Sequence, residues 1–317
     1  MALLDNGPNG RETHPGPEHG LPIARPESFA GVHTERTARF RKMERLESGE
    51  VIEEQLTSGS RTENYLIRTP DGALQELKVM AEHPADPAAG PGLARGVEKL
   101  PDLTGLLPVI RCGTFSDGAC FCVTEYRDVP TYQKMISMLS PLPPVRALAL
   151  IYMPAVILAR CRQNGLFHGW LTPSDILYEP QTGNSLSGMG LAQWRDRFFP
   201  QLRTRPGQWY SAPEAAAGKS VWQSDQYALG IMLFQMLTGV LPFYAEDAGK
   251  LAEMHLHATM PLPQERNPQV RLPAAVNAVL VRMTMKVPED RYKSWESLLA
   301  DLERANAALK KKETTVS

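Results

Sequence analysis

The spacing of apolar residues changes from a strand-like to a helix-like period part-way along the chain, and this change constrains the fold most. Before Tyr126, short runs such as 51–56 and 63–68 have a strand-like pattern, and Thr-Pro-Asp-Gly at 69–72 predicts a turn before the next strand. After Pro144, longer apolar segments such as 145–164 predict helices. A β-rich part followed by an α-rich part is typical of an α+β fold.

The other predicted elements follow the same two periods. Strands are expected at 51–56, 63–68, 73–80, 107–114 and 119–126, and helices at 93–100, 145–164, 224–237, 248–257, 273–285 and 294–307. We expect Ser224 or Asp225 to cap the helix at 224–237.

Five segments are predicted along the chain. The first, 1–33, is rich in Gly, Pro and His without apolar periodicity, and we expect a disordered tail. Arg and Glu at three- and four-residue spacings in 34–48 predict a short charged helix or linker. A β-rich lobe at 49–126 and an α-rich lobe at 127–307 follow, and 308–317 is expected to be a disordered tail.

Composition excludes several classes of partner. The net charge of −1 lacks the excess of basic residues that is typical of proteins that bind nucleic acid or an anionic membrane. Hydrophobic residues make up 43% of the 317, enough for a sizeable core. The longest uncharged apolar run, 147–159, is shorter than the ~18 residues that cross a bilayer, and Pro154 interrupts it. These features predict a soluble, cytoplasmic protein without a membrane segment.

The four cysteines are Cys112, Cys120, Cys122 and Cys161, and none forms a C-x-x-C pair or lies beside a histidine cluster. Zinc binding is therefore not expected. Cys120 and Cys122 are two residues apart in a strand-like run, so they should share a face. We expect reduced, mostly packed thiols.

Four motifs in the second half occur in a fixed order: APE at 212–214, SDQYALG at 224–230, MLTGVLPF at 236–243 and PEDRY at 288–292. Together they resemble A-P-E, S-D-x-Y-S-L-G, M-L-T-G-x-x-P-F and P-x-D-R-Y of the bacterial eukaryotic-like (Hanks-type) Ser/Thr protein kinases. The resemblance extends over roughly 50–302. It implies a bilobal protein-kinase-like fold, with a small β-rich N-lobe and a larger α-helical C-lobe.

The resemblance also assigns structural roles to four residues that the chain retains. It implies that Glu214 pairs with Arg291, which ties the activation segment to a distal helix. It implies that Asp225 accepts hydrogen bonds from the backbone of the catalytic loop, and that His168 is a packing residue.

The catalytic positions depart from the family pattern. HGWLTPSD at 168–175 replaces H-R-D-L-K-P-x-N, so Trp170 stands for the catalytic Asp and Thr172 for the phosphate-steadying Lys. Indole donates a hydrogen bond and cannot accept a proton. Gly188 stands for the metal-binding Asp of D-F-G, and Asp175 for the metal-binding Asn.

The nucleotide cleft is similarly altered. Only Gly59 survives of three phosphate-loop glycines, and Glu76 replaces the Ala above adenine. The Lys of V-A-I-K is retained as Lys78, and we hypothesise that it pairs with Glu76 or Glu98, since the usual partner position aligns with Ala94. The vestigial cleft is predicted to comprise Gly59, Asn64, Glu76, Lys78, the gatekeeper Thr124, Glu125, Tyr126, Asp175 and Leu177.

These losses predict a pseudokinase with no catalytic residue, no metal site and weak or absent ATP/Mg binding. We expect a non-catalytic scaffold or regulatory module that binds a protein partner, but not nucleic acid or membrane. Two alternatives stay open: a kinase-fold enzyme with altered nucleotide chemistry, and a sensor that uses the former ATP cleft for another ligand.

Overall fold

A computed structural model describes residues 38–58, 62–80, 82–84, 86–98, 100–181, 183–199 and 208–316. They form an N-terminal β-rich lobe followed by a helical lobe, so the predicted kinase-like α+β fold is confirmed. The predicted tail at 1–33 lies outside the described residues. The strands are β1 (Val51–Ser58), β2 (Thr62–Arg68), β3 (Leu74–Met80), β4 (Val109–Thr114), β5 (Cys120–Glu125), β6 (Ile176–Leu177) and β7 (Ser185–Leu186).

The N-lobe sheet has the strand order β1-β2-β3-β5-β4, and each neighbouring pair is antiparallel. Side chains alternate between its faces because the period of a strand is two residues. On β3, Leu77 and Val79 are buried in a small core on one face, whereas Lys78 points to the other. The second face carries the cleft residues and meets the helical lobe.

The segment before β1 covers the sheet face that lies away from the cleft. Phe40 and Leu46 pack on its apolar core, and the Met43 amide donates to the carbonyl of Ile52 at 2.7 Å. The helix that we predicted at 34–48 is not formed by its described residues, 38–48, which make turns. Burying each apolar side chain is worth about 1.5–3 kcal/mol, whereas each helical charge pair contributes only about 0.2–0.5 kcal/mol.

The helical lobe is built around two buried helices, α3 and α6. The helices of both lobes are α1 (Ala89–Glu98), α2 (Tyr132–Leu139), α3 (Pro144–Gln163), α4 (Leu191–Phe198), α5 (Pro213–Ala216), α6 (Trp222–Thr238), α7 (Ala248–His257), α8 (Pro263–Arg266), α9 (Ala274–Met283) and α10 (Trp295–Val316). In the described chain, α3 is the one helix that by length and composition alone could cross a membrane. Its apolar face packs in the core of this lobe.

Several helix limits differ from the prediction. Helix α1 begins at Ala89 rather than at residue 93. The cap of α6 is Val221, whose amide donates to the Ser224 hydroxyl at 3.1 Å, so Ser224 lies inside the first turn. Helix α10 continues to Val316, through most of the segment predicted to be a disordered tail. Leu309, buried on this helix, shows that core packing extends past residue 307.

Candidate active-site cleft

Lys78 lies in the middle of the cleft-facing side of the sheet. Its neighbours across the strands are Asn64 on β2 and Cys122 on β5. Its Nζ atom is 3.7 Å from Oδ1 of Asp175, and both side chains are only 16% exposed. The predicted partners are wrong: Glu98 is exposed at the end of α1, and the ion pair forms with Asp175 instead. The lysine therefore connects the two lobes.

The Asp175 carboxylate has a second set of contacts, within its own turn. Its Oδ2 atom accepts hydrogen bonds from the amide of Thr172 at 2.9 Å and from the Thr172 hydroxyl at 2.7 Å. These bonds cap the 3-10 turn Pro173–Asp175. One carboxylate oxygen thus stabilises the loop while the other faces Lys78.

The position assigned to the catalytic Asp is filled by an aromatic ring beneath a guanidinium group. Trp170 is 5% exposed, and the Cζ atom of Arg195 on α4 lies 3.1 Å from the centre of its ring. Arg195 is itself 8% exposed. A desolvated cation on an indole face is stabilising by about 2 kcal/mol. No sequence motif singled out Arg195, because its role depends on how α4 folds back over the loop.

The loop that carries Trp170 is anchored from below by Asp225. The two carboxylate oxygens of Asp225 accept from the amides of His168 at 2.8 Å and Gly169 at 2.7 Å. Burial raises the pKa of Asp225 to about 7, and these two hydrogen bonds oppose the rise. Nε2 of His168 lies 3.0 Å from the carbonyl oxygen of Ser187, and burial lowers the pKa of this imidazole. The backbone anchor implied by the resemblance is thus in place.

A buried ion pair holds the segment around α5 against the distal part of the lobe. Nη1 and Nη2 of Arg291 donate to the two oxygens of Glu214 at 2.7 and 2.9 Å. The Arg291 side chain is 0% exposed and that of Glu214 is 12% exposed. The hydroxyl of Ser224 also donates to Glu214, at 2.7 Å. Bidentate geometry of this kind is among the stronger charged contacts in proteins.

The segment joining the lobes has an ion pair that the sequence analysis missed. Arg127 donates to both oxygens of Glu179, at 2.9 and 3.0 Å, and contacts Glu125 at 3.3 Å. Glu179 is 8% exposed, and it also accepts from the Ser185 hydroxyl at 2.8 Å. The hairpin of β6 and β7 is thereby tied to the connection between the lobes.

The remaining predicted cleft residues include neighbours on β3 and β5 and one residue on β6. Gly59 lies outside the described residues. Thr124 is buried opposite Glu76 in the sheet, Glu125 is exposed at the end of β5, and Leu177 is buried in β6.

The metal-binding position at Gly188 supplies no side-chain ligand. Its φ of 74° suits glycine, and a Cβ atom there would lie 3.3 Å from His168 Nε2. Among the described residues, no group of three or more His, Cys, Asp or Glu side chains is arranged to hold a metal ion. The residues present do not fit the Asp-and-Asn Mg²⁺ site that the resemblance implies, since Gly188 has no side-chain ligand and the Asp175 carboxylate contacts Lys78 and Thr172.

Comparison with curated proteins finds similarity to bacterial serine/threonine-protein kinases over part of the chain. The serine/threonine-protein kinase pkn3 of Myxococcus xanthus is 31% identical over 209 residues, which are 62% of this chain and 38% of the relative. PknH of Mycobacterium tuberculosis is 34% identical over 181 residues, 56% of this chain and 29% of its own length. PrkC of Bacillus subtilis is 32% identical over 192 residues, 60% of this chain and 29% of its own length.

Its curated relatives are bacterial serine/threonine protein kinases. The predicted relationship to this kinase family is supported by the comparison, and the matched segments span between 29% and 38% of those three proteins. A comparison with protein-family models found no match.

Proposed function

We propose that this protein is a pseudokinase, which keeps the kinase-like fold and carries out no phosphoryl transfer. The observation that carries the proposal is Trp170, buried beneath Arg195 at the position of the catalytic base. The contacts that stabilise the fold, Asp225 beneath the loop and Glu214 with Arg291, are intact. The substitutions therefore remove groups needed for phosphoryl transfer and leave the contacts that stabilise the fold.

The loss of a general base and of a charge stabiliser each typically lowers the rate by about 10² to 10⁴. Trp170 removes the base, Gly188 and Thr172 remove a metal ligand and a cation, and Lys78 is engaged with Asp175. A nucleotide phosphate would have to displace Asp175 from Lys78 before it could bind. We infer that ATP/Mg binding is weak or absent.

Nucleotide binding is tested by thermal shift of the full chain with ATP or ADP, with and without Mg²⁺ or Mn²⁺. A ligand at 100 times its Kd stabilises by about 2.7 kcal/mol, which a melting curve detects. We expect no shift. A metal-dependent shift that Lys78→Ala abolishes would contradict weak or absent ATP/Mg binding in the cleft, and the same shift retained in Lys78→Ala would indicate binding elsewhere.

The biological role that we propose is that of a cytoplasmic scaffold or regulatory module for a protein partner. A retained fold without its chemistry supports this role. Partner capture from the source cells should not change on Lys78→Ala, because the partner recognises the folded surface. Capture that requires Lys78 together with added nucleotide would contradict the scaffold role and favour a nucleotide-dependent switch.

One observation favours a second candidate, ligand sensing in the altered cleft. Oδ1 of Asn64 is buried without a hydrogen-bond partner among the described residues, and Asn64 lies directly opposite Lys78. An unpaired buried acceptor costs about 1–3 kcal/mol, which a ligand donor would recover. A polar cationic metabolite that stabilises the wild type and not Asn64→Leu would support this candidate over a purely structural cleft.

A further inference from the structure

Two thiols face each other on adjacent strands of the N-lobe sheet. Cys112 on β4 and Cys122 on β5 are directly paired in the antiparallel register, and their Sγ atoms are 2.7 Å apart. Both are free thiols. The separation is longer than the ~2.05 Å of a disulfide bond, and it is short enough for a bond to form with only a small movement of the side chains.

The hairpin geometry shows that this pair occupies a favourable kind of site. The amide of Phe115 donates to the carbonyl of Ala119 at 2.9 Å, next to the turn. Hydrogen-bonded and non-hydrogen-bonded pairs alternate along an antiparallel ladder. Phe115 and Ala119 form a hydrogen-bonded pair. Cys112 and Cys122 are three pairs further from the turn, so theirs is a non-hydrogen-bonded pair. Cα atoms in such pairs are about 4.5 Å apart, within the range of about 4.4–6.8 Å that disulfides span.

The two thiols differ in their surroundings. Cys112 is half-buried, whereas Cys122 is buried. The contact with the Cys112 sulfur and burial together raise the pKa of Cys122 well above its usual value. An oxidant from solvent therefore reaches Cys112 first, and Cys122 is the neighbouring thiol that attacks next.

We propose that Cys112 and Cys122 form a reversible intrachain disulfide when the protein meets a two-electron oxidant of the peroxide class. In the first step the Cys112 thiolate attacks hydrogen peroxide, giving a sulfenic acid and hydroxide. In the second, the sulfur of Cys122 displaces water from that sulfenic acid, with loss of its own proton. The peroxide is reduced to two molecules of water, and the two thiols are oxidised together.

The cross-link would lie one strand from the centre of the cleft. Cys122 is the direct neighbour of Lys78 on β3, so the row Lys78, Cys122, Cys112 runs across three strands on one face. This site is independent of the proposed loss of phosphoryl transfer, because its chemistry uses neither nucleotide nor the loop at Trp170.

A third cysteine provides a matched control within the same hairpin. Cys120 is on the same face of β5, but its partner across the strands is Thr114, and burial raises its thiol pKa to about 11. Cys120→Ser should therefore leave the disulfide unchanged, whereas Cys112→Ser and Cys122→Ala should abolish it.

The test is peptide mapping of the full chain after hydrogen peroxide and alkylation of the remaining thiols. Chymotryptic cleavage after Phe115 and Phe121 separates the three cysteines of the hairpin into different peptides. We expect a cross-linked pair containing Cys112 and Cys122, reversed by dithiothreitol and present in Cys120→Ser.

Three results would overturn the proposal. The first is a cross-link that includes Cys120. The second is oxidation of Cys112 to the sulfinic acid while Cys122 remains a free thiol and is alkylated. The third is alkylation of all the cysteines in wild-type protein after an exposure that oxidises a free thiol peptide completely. Because each is read on wild-type protein, misfolding of a variant cannot hide the outcome.

Discussion

Removal of the Glu214 carboxylate should leave a fully buried guanidinium group without its counter-ion. Arg291 makes five hydrogen bonds, of which two go to Glu214 and three to the backbone carbonyls of Gln223, Met285 and Lys286. In Glu214→Ala the three carbonyl contacts remain, but the positive charge is uncompensated at 0% exposure. Breaking one side of a buried ion pair costs about 3–5 kcal/mol.

For a domain of this size, each kcal/mol lowers the melting temperature by about 2–4 °C, so we expect a decrease of roughly 6–20 °C. The assay is thermal and urea denaturation followed by circular dichroism. Glu289→Ala is the matched control, because it removes the same charge from an exposed side chain two residues from Arg291; it should change stability by less than about 0.5 kcal/mol. If Glu214→Ala were no less stable than Glu289→Ala, the ion pair would not be the anchor that we describe.

Two further changes test other contacts. Burial, followed by the charge of Lys286, lowers the pKa of His255 to about 3 in the folded protein. Below pH ~6.5 the imidazole is protonated in the unfolded state but not in the folded state. The folded protein should therefore become less stable as the pH falls below about 6.5. Between pH 7 and pH 5 the loss of unfolding free energy amounts to about 2 kcal/mol. His255→Asn should remove that part of the pH dependence of stability in urea titrations. An unchanged dependence on pH would contradict the assignment. Arg127→Ala leaves the buried Glu179 carboxylate without its ion-pair partner. Hydrogen exchange should accelerate in the hairpin of β6 and β7, while exchange in α6 stays unchanged. Equal protection of the hairpin in the variant and the wild type would show that this ion pair does not hold it.

The parts of the fold that the sequence predicted depend on local period and on contiguous motifs. Buried and half-buried side chains alternate along β2 because one face of that strand packs on the core. Helix α7 was predicted with its observed limits. The anchors at Asp225 and Arg291 join residues that are far apart in the chain, and they were expected only because their motifs resemble those of the kinase family. The helix and strand periods, in contrast, are encoded within a few neighbouring residues.

The tertiary contacts that were missed join segments that are distant in the sequence. The turns at 38–48 carry a charge pattern that favours a helix, yet Leu46 is buried and Phe40 is half-buried against the sheet. The partner of Lys78 was sought on its own strand and on α1, whereas Asp175 reaches it from the opposite lobe. Arg195 covers Trp170 only because α4 folds back onto the loop. No local pattern encodes these contacts.

Transfer of labelled phosphate from ATP tests the central proposal most directly. The full chain is incubated with ATP and Mg²⁺ or Mn²⁺, alone and with a basic protein acceptor, and PrkC of Bacillus subtilis is assayed in parallel. With Trp170 at the position of the base and Lys78 paired with Asp175, we predict no label above the protein-free blank in any condition. Label in the chain or acceptor that Lys78→Ala abolishes would contradict the pseudokinase assignment.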